Sequence, residues 1–533
     1  MARTLRQIIR RRLKSEIGVV HKEHGGRLRV CLVYPNTYFV GMSNLGFHSV
    51  YHLFNADPRV VCERSFVPDA GELAELERVG GTLVSYESQT SLQQFDVIAF
   101  SVSYELDYLG VARTLRLAGL PAFSSERGEQ HPLVIAGGAA ISINPEPLVP
   151  LVDMFVIGEG EEVVAGLARA LRAGAGDRRT MLSQAAELSG VYVPETASGA
   201  AAPQGVTRQY ATNLDKWPTC SRLLTRETEF GDLFLVEVTR GCGRGCKFCV
   251  TPVCYWPLRW RSVDGVTEMA RGGLAQRNAI GLVGAAVSDH PEIDEIARRI
   301  VGLRARLSVA SLRADSVSPA LIEALAKGGA RSVTLAPEAG TQRLREAIGK
   351  GVSEEQIAET LGRAAAAGIR EAKLYFMVGL PGEGEEDVEA IPSLVRRCLK
   401  AADLKRVRVA AGAFVPKPHT PYEREAMLPV KELSGRLRAI RDELRGERRV
   451  VVALESVNWS YLEGALSRGD RRLGPVIVAA EKAGGNLAAW RRAFRENALK
   501  AEEFAGPRGA KWEPAWEFIR SAHRAARQRS PAE

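Results

Sequence analysis

Three cysteines of this 533-residue chain stand close together at a spacing that suits a metal cluster. They are Cys242, Cys246 and Cys249, in the pattern Cys-x3-Cys-x2-Cys, on a loop that also carries three glycines. Three thiolates on such a loop can hold three irons of a [4Fe–4S] cluster, which usually has four cysteine ligands. The missing fourth ligand leaves one iron open, and an open coordination position is what a catalytic metal needs.

Structural zinc is the alternative interpretation of these cysteines. Such a site wants four ligands, usually supplied as two pairs. Cys254 could be the fourth, but it follows Pro252 at an unusual spacing, and the chain has no second Cys-x2-Cys pair. We therefore expect Cys254 to be a packing residue or an unligated thiol near the site. The other four of the eight cysteines are scattered, which indicates a reducing compartment rather than a disulfide framework.

The cysteine loop follows an apolar run that we predict to be the first strand of a barrel. Helical stretches such as Glu292–Leu303 and Ser353–Ala367 separate the later strand candidates, and Ser353 with Gln356 predicts a capping box. Six strand–helix units suit a closed or partial barrel, with functional groups at the carboxyl ends of the strands. The predicted strands are Leu233–Val238, Ala279–Val287, Leu307–Arg313, Ser332–Ala336, Ala372–Val378 and Val407–Phe414.

A second series of apolar strands precedes this barrel. Near-continuous apolar runs alternating with helical patterns indicate a parallel sheet covered on both faces, and ligands of such sheets bind at the carboxyl ends of the strands. The runs are Leu28–Tyr34, Asp96–Val102, Pro132–Ala136 and Asp153–Ile157. The chain is thus predicted to be an α/β protein, with a doubly wound, Rossmann-like domain followed by a partial (β/α)6 barrel and a helical C-terminal region.

Composition sets the remaining expectations. With 45% hydrophobic and 25% charged residues, the chain is ordinary for a globular protein. It has no run of about 18 uncharged apolar residues, so no membrane span is expected, and we predict a cytoplasmic protein. The net charge of +9 permits an anionic partner but does not require nucleic acid.

The chain is expected to divide into five parts: an N-terminal helix in 1–27, the Rossmann-like domain in 28–190, a connector in 191–229, the barrel in 230–427 and the helical region in 428–533.

The cysteine pattern, with Phe248 before its last cysteine, resembles the signature of the radical S-adenosylmethionine superfamily. The resemblance covers about Leu233 to Tyr422. It implies that the open iron chelates S-adenosylmethionine, and that reduction by a donor such as flavodoxin or ferredoxin releases methionine and a 5′-deoxyadenosyl radical. The segment Gly284-Ala285-Ala286 matches the family's Gly-Gly-Glu-like segment only in part. The implied S-adenosylmethionine contacts are Phe248, Gly284, Ala285, Ser311, Arg313, Glu338 and Gly379.

The N-terminal domain resembles the cobalamin-binding domain that precedes many radical enzymes. The resemblance rests on Gly137-Gly138 and on Gly158-Glu159-Gly160-Glu161, and it implies a cobalamin bed of Ser101, Ser103, Gly137 and Gly138. The usual Asp-x-His-x-x-Gly signature, whose histidine ligates cobalt, is absent. We therefore expect any bound cobalamin to lack a histidine ligand. An empty domain that docks substrate or a partner is the alternative.

The leading expectation is a radical enzyme that transfers a methyl group to an unactivated carbon with the help of cobalamin. Rearrangement or bond formation without cobalamin is the first alternative. Methylthiolation of RNA is another alternative. The chain has no second three-cysteine set before the barrel, which argues against it. A non-catalytic iron–sulfur or zinc protein is the alternative outside enzymes. The substrate, a small molecule or a peptide, stays open, and so does the role of the basic stretch Ser467–Arg472, which meets substrate or solvates a loop.

Overall fold

The computed structural model of the chain describes residues 4–194 and 205–520. Its strands are β1 Leu28–Tyr34, β2 Val60–Phe66, β3 Val97–Ser101, β4 Leu133–Gly137, β5 Met154–Val156, β6 Val191–Tyr192, β7 Val206–Thr207, β8 Phe234–Glu237, β9 Thr239–Arg240, β10 Arg259–Trp260, β11 Ala279–Val283, β12 Arg306–Val309, β13 Ser332–Glu338, β14 Glu371–Val378, β15 Arg406–Ala413, β16 Val450–Leu454 and β17 Ile519–Arg520.

Of the α-helices, one precedes β1 and the others lie between the strands. They are Leu5–Ser15, Tyr38–Gly41, Leu45–Ala56, Ala70–Arg78, Tyr108–Leu117, Ala139–Ile143, Val164–Ala173, Arg178–Ala186, Thr251–Cys254, Val263–Leu274, Ile293–Gly302, Pro319–Lys327, Gln342–Ala347, Glu354–Ala366, Glu385–Ala401, Val430–Glu443, Val457–Ser467, Leu473–Lys482, Leu487–Glu496 and Glu502–Ala505. Helix Glu354–Ala366 begins with the predicted capping box of Ser353 and Gln356. Within the described ranges, no helix is long and apolar enough to cross a membrane.

The N-terminal sheet has six strands in the order β2-β1-β3-β4-β5-β6. All neighbours are parallel except β5 and β6, which run antiparallel. The four predicted strands are present. Strand β2 was not predicted, because Glu63, Arg64 and Ser65 interrupt its apolar pattern, yet every residue of β2 is buried. Glu63 accepts a hydrogen bond from the His24 ring, and Arg64 forms ion pairs with Glu16 and Glu87, so both side chains have partners inside the protein.

The second sheet system is the predicted barrel. Strands β8, β11 and β12 form one parallel group, and β13, β14, β15 and β16 form another. A parallel bridge between Leu312 and Leu335 joins the two groups. All six predicted strands are present, and β16 adds a seventh, in the region expected to be helical. Its sequence, Val-Val-Val-Ala-Leu, is a short β-rich run between charged segments, which is why the composition of its surroundings concealed it.

The helices after β16 pack mainly on the N-terminal domain and share its apolar core. The Asn144 side-chain amide donates hydrogen bonds to the carbonyl oxygens of Ser467 and Gly469, at 2.9 and 2.8 Å. Arg471 forms an ion pair with Glu146 at 2.9 Å, and Arg468 is buried. Much of the basic stretch Ser467–Arg472 therefore serves to dock the C-terminal helices, rather than only to solvate a loop.

The segment between the two sheet systems is only partly described. Part of the predicted connector, residues 195–204, lies outside the described ranges. On its N-terminal side β6 closes the first sheet, and on its C-terminal side β7 pairs with β17 near the end of the chain. Beyond β7 the chain runs along both domains: the Ala211 amide donates to Glu159, and Ser221 pairs with Leu235 of β8.

Candidate functional site

The cysteine loop begins directly after β9, which pairs antiparallel with β10. Gly241 starts the loop with φ of +89°, and a Cβ there would lie 2.4 Å from the Tyr255 carbonyl oxygen. Only glycine fits this turn, which directs the chain into the cysteines. Cys246 is buried, while Cys242 and Cys249 are half-buried.

The three thiols are close enough to influence one another electrostatically. Burial raises the pKa of Cys242, Cys246 and Cys249, and at Cys246 the cations Lys350 and Arg313 oppose the rise. Three ligands of a cluster bind three different irons, and bound metal deprotonates thiols outright, so this donor set fits a [4Fe–4S] cluster. In the part of the chain that the structure describes, no three His, Cys, Asp or Glu side chains converge as a single metal ion requires.

Cys254 ends the short helix Thr251–Cys254, which follows this loop. It is buried in a small apolar cluster with Ile143 and Val253, and its thiol points at the Ala139 carbonyl oxygen, 3.9 Å away. Ala139 and Ile143 belong to the N-terminal domain, so Cys254 packs in the contact between the domains. This placement agrees with the expected packing role.

The barrel rim holds the cysteine loop in place. The Lys247 amide donates to the Ile348 carbonyl oxygen at 2.9 Å, and a Cβ on Gly349 would lie 2.5 Å from the Gly245 carbonyl oxygen. Arg244, between the first two cysteines, forms a two-bond ion pair with Asp289, at 2.8 and 2.7 Å. The loop therefore docks on the 3-10 turn Val287–Asp289 that follows β11 and on the end of helix Gln342–Ala347 that follows β13.

Arg313 and Glu338, two of the predicted S-adenosylmethionine contacts, have protein partners. Arg313 forms a two-bond ion pair with Asp315, at 2.9 and 2.8 Å, and donates to the Lys350 carbonyl oxygen at 2.9 Å. Glu338, at the end of β13 with φ of +69°, pairs with the Lys350 ammonium at 3.0 Å. Burial raises the pKa of Glu338, and Lys350 opposes that rise. Lys350 was missed by the sequence analysis, and its only signal was its place between two glycines.

The other predicted contacts occupy several positions on the same rim. Phe248 packs on the apolar cluster that includes Ile348 and Leu380. Gly379 has φ of +81°, and its amide donates to Glu383 at 2.8 Å, so this segment forms a capped turn. Ser311 is half-buried just beyond β12.

A cavity of about 560 Å³ lies between the carboxyl ends of the N-terminal strands and the rim of the barrel. Its size is typical of ligand sites, which run to roughly 300–1,000 Å³. It brings together all four predicted cobalamin residues, the first two residues of the Gly284 segment, and the start of the cysteine loop. These lining residues are Ser101, Ser103, Gly137, Gly138, Gly241, Gly284 and Ala285. The remaining predicted residues are not part of its wall: Cys242, Cys246, Phe248, Cys249, Ser311, Arg313, Glu338 and Gly379.

Two glycines shape this cavity by close approach. Gly138 has φ of +115°, and a Cβ on it would lie 2.3 Å from the Val102 carbonyl oxygen. A Cβ on Gly284 would lie 2.4 Å from the Thr239 methyl carbon. Ser103 accepts a hydrogen bond from the Asn44 side-chain amide at 3.1 Å, so its hydroxyl oxygen is already engaged. The bed is thus built from backbone and small side chains, which leaves room for a bulky ligand.

The described lining of the cavity contains no histidine. None of the histidines in residues 4–194 and 205–520 lines it. His48, on helix Leu45–Ala56, is 2% exposed, and burial lowers its pKa to about 3. His52, one turn later, is exposed. The lining has the small side chains and close backbone that a corrinoid needs, and the expected lack of a histidine ligand to cobalt stays a prediction.

Two family descriptions match the chain. Residues 46–194 match Radical SAM proteins, N-terminal, and residues 236–395 match the Radical SAM superfamily. The chain therefore belongs to the radical S-adenosylmethionine superfamily, and the predicted family is confirmed.

Curated relatives include proteins of several activities. An uncharacterized protein of Methanocaldococcus jannaschii is 28% identical over 454 residues, which cover 84% of this chain and 90% of the relative. An uncharacterized methyltransferase of Pyrococcus horikoshii is 25% identical over 311 residues, 55% of this chain and 65% of the relative. A tRNA-2-methylthio-N(6)-dimethylallyladenosine synthase of Sorangium cellulosum is 31% identical over 214 residues, which are 35% of this chain and 42% of the relative.

Two solved structures align with most of this chain. The radical S-adenosylmethionine methyltransferase TsrM from Kitasatospora setae, with cobalamin and a [4Fe–4S] cluster bound, aligns with a TM-score of 0.54 at 16% identity, over 90% of this chain and 99% of TsrM. OxsB, a cobalamin-dependent S-adenosylmethionine radical enzyme with aqua-cobalamin bound, aligns with a TM-score of 0.53 at 15% identity, over 93% of this chain and 77% of OxsB. The predicted fold class, with a Rossmann-like domain before a partial barrel, is thus confirmed.

Proposed function

We propose that this radical enzyme holds a [4Fe–4S] cluster on Cys242, Cys246 and Cys249, binds S-adenosylmethionine at the barrel rim, and uses cobalamin in the interdomain cavity to transfer a methyl group to an unactivated carbon. The observation that carries the proposal is the cavity. One wall is the predicted cobalamin bed, and the opposite wall reaches Gly241, the residue before the first cysteine.

The chain's own residues serve to bind and orient in this proposal. The three thiols are the ligands for the cluster. Arg313 and Lys350 place positive charge near the loop, where the carboxylate of S-adenosylmethionine is expected to bind, and Phe248 with Leu380 adds an apolar surface. When bound, the cluster and S-adenosylmethionine supply radical chemistry, and cobalamin supplies the methyl group, so the protein's task is orientation and exclusion of water.

A titration and a product analysis test the proposal. The full chain is reconstituted anaerobically with iron and sulfide, reduced, and assayed for 5′-deoxyadenosine by mass spectrometry, with the Cys246→Ala protein as the control. Hydroxocobalamin is then titrated into the protein and followed by absorption. We expect 5′-deoxyadenosine from the unchanged chain only, and saturable corrinoid binding. A reconstituted protein that forms no 5′-deoxyadenosine would contradict the radical step.

Radical chemistry without cobalamin is the second candidate. The sequence lacks the Asp-x-His-x-x-Gly signature that supplies the usual cobalt ligand, and this observation favours it. Failure of the corrinoid titration, with 5′-deoxyadenosine formation retained, would select this candidate.

Methylthiolation of RNA has weaker support. The methylthiotransferase relative quoted above is matched over less than half of its length. Three cysteines precede the signature, and two of them, Cys31 and Cys62, are fully buried in strands β1 and β2. With the remaining Cys220 far from them in the sequence, they do not supply a second cluster.

A further inference from the structure

Arg240 links the cysteine loop to the N-terminal domain. It stands two residues before Cys242 and uses all five of its N–H donors. One terminal nitrogen donates to Glu159 and to Glu161 of the N-terminal domain, at 2.8 Å each. The remaining donors bind Glu237, at the end of β8, and the Thr219 hydroxyl, at 2.9 to 3.2 Å.

Glu159 is the centre of this contact. Its carboxylate accepts two hydrogen bonds from Arg259, at 2.8 and 2.6 Å, one from Arg240 at 2.8 Å, and one from the Ala211 amide at 3.0 Å. Arg259 lies opposite Arg240 in the antiparallel pairing of β9 with β10. The Glu159 side chain is only 4% exposed, so the N-terminal domain, the connector and the barrel meet at one buried carboxylate.

Buried ionic groups of this kind favour one geometry. Removing charges from water is costly, and the cost is offset only when every donor and acceptor is well aligned. A guanidinium group adds direction, because its planar fork fits carboxylates in few orientations. Glu159, Glu161, Glu237 and Arg240 also line the cavity, so this geometry forms part of the wall that faces the predicted cobalamin bed.

We infer that Arg240 is a positioning residue: it clamps the start of the cysteine loop to the turn at Glu159 and Glu161, and thereby sets the distance from the loop to the cavity. The inference rests on one part of the proposed function, namely that the cysteine loop holds a [4Fe–4S] cluster. The five N–H donors of Arg240 are all taken up by Glu159, Glu161, Glu237 and Thr219, so the residue acts through the loop that follows it.

Two variants test the clamp. Arg240→Lys keeps the charge but loses the fork, and Glu161→Gln removes the carboxylate whose hydrogen-bond partner is Arg240. Asp153→Asn is the control, because Asp153 is also buried and is paired with Arg127 and Arg178, but lies outside the cavity wall. All are measured as the full chain after anaerobic reconstitution, beside the unchanged protein.

Hydrogen exchange measured by mass spectrometry is the first readout. We expect both variants to retain their iron. Exchange should become faster, by about tenfold to a hundredfold, in the loop segment 239–249 and in the turn 157–162 together, as expected for loss of a charge-assisted hydrogen bond. The control should leave both segments unchanged. Faster exchange in one segment alone, or an equal effect of Asp153→Asn, would overturn the inference.

The midpoint potential of the cluster is the second readout, and global destabilisation does not move it. Arg240→Lys keeps the positive charge, so a rise in the potential reports water reaching the loop, since water stabilises the more negative reduced cluster. An unchanged potential would count against the clamp.

If Arg240→Lys does not fold, the exchange measured in Glu161→Gln decides whether the clamp exists. If the unchanged chain produces no 5′-deoxyadenosine, the proposed function fails, while the exchange results still decide whether the clamp exists.

Discussion

Replacing Cys254 with alanine should leave the iron–sulfur cluster in place, whereas replacing Cys246 should remove it. Cys254 is 4% exposed and packs between the domains, where its thiol lies 3.9 Å from the Ala139 carbonyl oxygen. Losing one buried heavy atom and leaving a small void costs about 1–2 kcal/mol. A domain is typically stable by about 5–15 kcal/mol, so the Cys254→Ala protein should fold.

Cys246→Ala acts on the metal rather than on packing. It removes one of three thiolate ligands from a loop that is held by its neighbours on both sides, including the Lys247 amide bond to Ile348. We therefore expect a folded protein that has lost the visible absorption of the cluster and the formation of 5′-deoxyadenosine. Cys242→Ala and Cys249→Ala should behave in the same way.

The assay combines iron, sulfide and zinc analysis with absorption spectra after anaerobic reconstitution. Circular dichroism and gel filtration show whether each variant is folded. A Cys254→Ala protein that is folded but has lost its metal would refute the three-cysteine assignment. Zinc bound in place of iron, lost from all four variants, would instead favour a structural zinc site.

Three further predictions concern the ligands. Arg313→Ala and Glu338→Gln should each weaken S-adenosylmethionine binding roughly ten- to a hundredfold, the worth of a charge-assisted hydrogen bond to a charged ligand, and unchanged affinity by calorimetry in both would mean that the site lies elsewhere. Electron paramagnetic resonance of bound cob(II)alamin should show no nitrogen splitting that disappears when a histidine is changed; such a loss would identify a histidine ligand. Gly138→Ala should destabilise the protein by about 1–3 kcal/mol, because its backbone conformation disfavours a side chain, and should weaken corrinoid binding. Gly137→Ala, whose Cβ would lie 3.5 Å from Val156, is the control, and equal losses in the denaturant unfolding of both variants would contradict the reasoning.

The sequence alone was sufficient for features that depend on neighbouring residues. The Cys242–Cys249 spacing, the six barrel strands and the capping box of Ser353 with Gln356 are local patterns, and each is present in the structure. Apolar runs identify the strands because the strands of both sheet systems are stabilised by burial of their side chains. Since the strands are parallel, the glycine-bearing turns at their carboxyl ends lie at one edge of the sheet.

The tertiary structure decided what depends on partners distant in the chain. Strand β2 carries Glu63 and Arg64 and is nevertheless fully buried, because His24 donates a hydrogen bond to Glu63 and Glu16 pairs with Arg64. Lys350 meets Glu338 only because the chain turns back after a helix, and no spacing rule predicts that contact.

The interdomain contact shows the same limit most directly. Arg240 and Glu159 are separated by 81 positions, and each looks like an ordinary charged residue in the sequence. Their pairing exists because the two domains bring their strand ends together around one cavity. A pattern of residue types records which side chains can be buried or ionised, whereas the free energy of a buried ion pair depends on distances and directions that only the folded chain sets.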